Sequence, residues 1–181
     1  MSERQGTGVN ETEADRPPGM HVHFANDDVV VGWWGCVLIS IWRRDQWPEY
    51  ARLRGEAGEL LAKQHSGPLL LLTLVLERAG LPDEPTRQAL ARLRVMPSHQ
   101  RVVACAGIAE GPPLRVAGAR AVSISLDQIV PPPFPTRMFG DRVDAVLWLR
   151  DALGKAGGAP FRGPELLAAL AREAPTAPIS R

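Results

Sequence analysis

At 181 residues, 45% of them hydrophobic and 23% charged, the chain has the size and composition of one globular domain with room for tails. Lys and Arg together number 21 against 20 for Asp and Glu, a net charge of +1. That balance excludes the cationic excess that non-specific nucleic-acid binding needs, and no basic stripe interleaved with aromatics appears.

In chain order, Met1 to Gly19 is polar, carries Pro17-Pro18 and lacks the apolar centre of a signal peptide, so the sequence predicts a disordered arm over 1–19. His21 to Ala25 reads as a short strand and Asn26-Asp27-Asp28 as a turn. Val29 to Trp42 is apolar on both parities, which predicts one strand covered on both faces, bent or bulged at Gly32 and Gly35. It is too short and interrupted to span a bilayer, so no transmembrane segment is expected and the location is expected to be cytoplasmic.

A helix follows, with Asp45 as cap, Pro48 in the first turn and Leu53, Ala57, Leu60 and Leu61 inward. Leu69 to Leu76 has the length of a buried strand, and Asp83 caps a helix that turns Ala89, Leu90 and Leu93 inward. Val102 to Ile108 is another buried strand. Leu114 to Ile129 is ambiguous: Val122, Ile124 and Leu126 alternate as in a strand, while Leu114, Ala117, Ala121 and Ile124 form a helix face. A crossover between parallel strands needs a dozen or more residues, and that decides for a helix. Thr136 to Phe139 is a short strand, and Asp141 caps a helix bearing Val143, Val146, Leu147 and Leu153.

The result is an α/β fold with a single mixed, mostly parallel sheet and flanking helices, in the order β-β-α-β-α-β-α-β-α over residues 20–153. Residues 154–181 read as a flexible tether with a short amphipathic helix at 164–174, whose Leu166, Leu167 and Leu170 are candidates for a partner's groove.

Phe134-Pro135-Thr136-Arg137-Met138-Phe139, followed by Asp141, Asp144-Ala145 and Trp148-Leu149, resembles the end of SpoIIAA-like and STAS-type domains. The order of elements agrees over residues 20–153. The resemblance implies a non-enzymatic docking module of bacterial signalling assemblies, anti-sigma antagonism or transporter tails, with lipid binding in some SpoIIAA-like members. Signalling members carry a phosphorylatable Ser, usually behind an Asp, at the start of a helix. The corresponding stretch, Glu77 to Thr86, offers only Thr86, beside Asp83 and Glu84, which would repel a phosphate.

No catalytic constellation, metal set or cofactor motif emerges. His21 and His23 share a strand face without a third ligand, and neither His65 nor His99 has a Cys, Asp or Glu at ligand spacing. Cys36 and Cys105 lack a His or cation nearby in sequence to activate a thiol. Gly6-Thr7-Gly8 and Gly107 to Gly111 do not make phosphate loops. Trp33 and Trp34 point to opposite sides of their strand, so with Trp42 and Trp47 they are candidates for an exposed aromatic interaction surface. The leading expectation is protein–protein docking or self-association as a homo-oligomer. A carrier of a lipid or small apolar ligand between sheet and helices is the alternative, and an enzyme of unrecognised type comes last.

Overall fold

The computed structural model describes residues 19–174, so the arm expected over 1–19 and the end of the tail lie almost wholly outside the described residues. Six strands form one sheet: β1 His21–Ala25, β2 Val29–Trp34, β3 Val37–Trp42, β4 Leu69–Val75, β5 Val102–Ala109 and β6 Thr136–Phe139. They stand side by side in chain order, β1 to β3 antiparallel and β3 to β6 parallel. The helices are α1 Pro48–Gln64, α2 Glu84–Leu93, α3 Pro113–Ile129, α4 Arg142–Lys155 and α5 Gly163–Glu173, with a single 3-10 turn at Pro97–His99. None is long and apolar enough to cross a membrane among the described residues.

The apolar run Val29 to Trp42 is two strands, not one. Gly35 takes φ +53° while Cys36 keeps a negative φ, the sign pattern of a type II′ hairpin turn, and Trp34 pairs with Val37 across it. Asn26 Oδ1 closes the preceding turn by accepting from the backbone N–H groups of Asp28 and Val29, both at 2.9 Å.

Register sorts the sheet into two unlike faces. One carries Val30, Trp34, Val37, Ile39, Ile41, Leu70, Leu72, Leu74, Ala104, Ala106 and Ile108, and α4 and α5 cover it. All but Trp34 are completely buried there. The opposite face carries Leu38, Ser40, Trp42, Leu71, Thr73, Val75, Cys105, Gly107, Thr136 and Met138 beneath the layer α1, α2 and α3. The first face is apolar and, Trp34 apart, aliphatic; the second mixes small and polar groups into the sheet.

Helix capping follows the sequence at two of three sites. Asp83 accepts from the Thr86 N–H at 2.9 Å and Asp141 from the N–H groups of Val143 and Asp144. Asp45 does not cap α1, which begins at Pro48 after Trp47 without a side-chain cap. Residues 114–129 are helical, but the face is reversed: Leu114, Ala117, Ala121 and Ile124 are exposed, and Ala119 is the residue α3 buries. In α4 the inward residues are Ala145, Val146, Leu149 and Leu153, while Val143 and Leu147 face solvent.

The segment read as a tether belongs to the compact unit, which continues to Ala174. Leu166, Ala169, Leu170 and Ala174 are buried in the main core, and Phe161 packs edge-on against Trp34 with ring centroids 5.8 Å apart. Arg43 donates to the Glu173 carbonyl at 2.7 Å and Arg142 to the Ala174 carbonyl at 2.8 Å, placing two cations where the α5 dipole is negative. Arg142 also pairs with Glu110, tying the end of β5 to the start of α4.

Candidate functional site

The mixed face of the sheet does not pack solidly against its helices. Between them lies a partly open cavity of about 110 Å³. Its floor is made of successive rungs across β4, β5 and β6: Leu71, Cys105 and Thr136, then Thr73, Gly107 and Met138. A Cβ at Gly107 would come within 2.1 Å of the Met138 Sδ, so any side chain there would displace the thioether. The thioether lies across the bare glycine as a flexible part of the floor. The roof is the inner face of α3, where Ala119, Val122, Ser123 and Leu126 recur at helical spacing. Leu90 and Leu93 of α2, Trp42 and Phe134 complete the apolar wall, and Leu81, half exposed, stands beyond Val75 at the carboxyl end of the strands.

Polar groups gather around the Leu71–Cys105–Thr136 rung. Arg54 reaches it from α1, Arg94 from the end of α2, and His99 from the 3-10 turn. Arg94 is paired, one guanidinium nitrogen meeting Asp127 at 2.7 Å and the Val130 carbonyl at 2.8 Å. Arg54 is not: its Nε is sealed from solvent without a hydrogen-bond partner. Burial, reinforced by repulsion from Arg94, lowers the Arg54 pKa, with the neighbouring Cys105 thiol acting the other way. Burial also raises the Cys105 pKa, so a neutral thiol rather than a counter-charge faces the guanidinium. His99 is 2% exposed, and burial together with the Arg54 charge brings its pKa down to about 4. The ring is therefore neutral at pH 7; Nδ1 lies 3.2 Å from the Ser98 hydroxyl and Nε2 has no partner. Thr136 Oγ1, on the same rung, is likewise buried and unpartnered.

The candidate residues read from sequence fall elsewhere, with one exception. Trp33 and Trp34 are each 6% exposed and Trp42 1%, so no exposed patch joins them: His21 stacks on Trp33 at 4.0 Å and Phe161 covers Trp34. Trp42 instead walls the cavity. Trp47 is 52% exposed, alone of the four. Leu166 and Leu170 are completely buried and Leu167 packs beside them, so α5 spends its apolar face on its own domain. Thr86 is also completely buried, its hydroxyl donating to the Gln46 carbonyl at 3.2 Å, which closes it to a kinase.

Arg54, Arg94 and Thr136 were not singled out by sequence reading, and His99 and Cys105 were read there as inert. The available signal was the break in aliphatic character at alternate strand positions, Thr73, Cys105 with Gly107, and Thr136 with Met138. It becomes a cavity only when register aligns these strands. No family model, curated protein or solved structure matches the chain.

Proposed function

We propose that the chain is a non-enzymatic binding module, STAS-like in its order of elements and its ending, that holds a small and largely apolar molecule between the sheet and the α1–α3 layer. The observation that carries this reading is the cavity itself: mostly apolar walls with a few convergent polar groups, the usual character of a small-molecule site. Its roof, α3, buries only Ala119 and is therefore lightly held against the sheet. The nearby nucleophile, Cys105, is a protonated thiol without a base at hydrogen-bond distance, which favours binding over catalysis.

Denaturing extraction and mass spectrometry of protein purified from its native cell test the proposal. A stoichiometric small molecule, absent from a folded Ser123→Trp variant in which the indole fills the cavity, is the expected outcome. An occupant undiminished in that variant, or no occupant and no uptake of small aromatic probes, overturns it.

A second reading has its own support. The outward stripe of α3, Leu114 at 86% and Ile124 at 59% exposure with Ala117 and Ala121 between them, suits protein docking or self-association. Sedimentation of the chain and of Ile124→Asp checks it: an assembly that the charge dissolves supports docking through α3, and a monomer in both cases removes self-association.

A further inference from the structure

The chemistry of the occupant is legible in what the cavity lacks. Its lining includes Arg54, Arg94 and His99, and no Asp or Glu. The Asp127 carboxylate is held by Arg94 at 2.7 Å from outside the lining. Arg54 thus brings into a partly enclosed, largely apolar space a positive charge that no acidic side chain answers. Arg54 is partly withdrawn from water, and a charge so placed without a counter-ion is unfavourable. Three unpartnered polar atoms, Arg54 Nε, His99 Nε2 and Thr136 Oγ1, belong to residues that line this one cavity. Two are donors and the third, a neutral imidazole nitrogen, donates in one tautomer. Donors without acceptors ask for an anion. The rest of the wall is Trp42, Leu90, Leu93, Val122, Leu126 and Phe134, which asks for an apolar body. A volume of about 110 Å³ is below the ~150 Å³ of an apolar cavity that accepts benzene, which limits the enclosed body to a short chain, a single ring fitting only by extending through the open side.

We infer that the cavity, taken as the binding site proposed above, receives a small monocarboxylic acid as its carboxylate, the carboxylate against Arg54 with His99 and Thr136 beside it, and the apolar body under α3. The guanidinium remains a cation at neutral pH and its planar donors match a carboxylate. The Gly107–Met138 floor gives the site tolerance in the shape of the body but not in the charge of the head.

Calorimetric titration of the full chain with benzoate and hexanoate, with the corresponding neutral amides, and with formate is the test. At neutral pH the acids are expected to bind about tenfold or more tighter than their amides, as a charge-assisted pair to a buried cation requires, and tighter than formate. Arg54→Gln is expected to bring each acid down to the level of its amide, with circular dichroism and a cooperative thermal melt reporting that the variant is folded; Arg54→Lys is expected to fall between. Amides binding as well as acids would overturn the inference while leaving the cavity as a binding site. Formate binding as tightly as benzoate would overturn the apolar half of it. Failure of every acid and amide to bind would remove the binding-site reading as well.

Discussion

His99 makes the cavity's cost measurable at a single residue. Its folded pKa is about 4 against an ordinary 6.5, so between those values the unfolded chain takes up a proton that the folded chain refuses. Stability from this group is complete above pH 6.5 and declines as the pH falls towards 4, by about 3 kcal/mol over the window. The charge acting on the ring is Arg54 from α1, and the Ser98 hydroxyl lies on its Nδ1; Arg94 and Cys105 line the same cavity. Denaturant titrations between pH 4 and 7 are expected to show this slope, and His99→Gln to flatten it. An unchanged slope in the variant would assign it to other groups. The sequence held His99 and Arg54 forty-five positions apart with nothing to join them, and neither carries a recognisable spacing. Buried cations are found by geometry, since their sequence neighbours describe a helix surface and not the space the side chain enters.

At the level of elements, α5 and α3 exchange the roles that composition assigns them. The glycine-rich approach to α5 reads as a tether, yet Leu166 and Leu170 are completely buried on the aliphatic face of the sheet. Leu170→Ala is therefore expected to cost about 2–5 kcal/mol in chemical denaturation, as for any core leucine, whereas a helix on a free tether would lose almost nothing. In α3 both faces carry apolar residues, so crossover length decided for a helix while periodicity left its inward side open. Leu114 and Ile124 are outside, while Ala119, Val122, Ser123 and Leu126 face the cavity over Thr73, Gly107 and Met138. The strands were legible where turn chemistry brackets them, as at β1, β4 and β6. Val29 to Trp42 was misread because a two-residue hairpin through Gly35 leaves almost no polar mark between its strands.

Across the whole molecule the α/β class followed from alternating buried strands and amphipathic helices, and the sheet has the mixed, mostly parallel character they demand. The boundary at 153 did not survive, because the core of the hairpin needs the last helix. Burying Leu166, Leu170 and Phe161 against it is worth about 5 kcal/mol or more, as much as the whole net stability of a weakly stable domain. A chain ending at Lys155 is expected to lose a cooperative thermal transition and to bind an apolar dye, while the full chain melts in one step and does not. A truncated chain melting within a few degrees of the full one would mean that α5 contributes little. The covering of β2 by α5 also has a bearing on synthesis. Each strand lies beside the one made just before it, so the sheet can be laid down in order as the nascent chain leaves the ribosome. The far side of the β2–β3 hairpin, with Val30, Trp34 and Ile39, stays bare until α5 has emerged, and for that interval it is the surface a chaperone would meet.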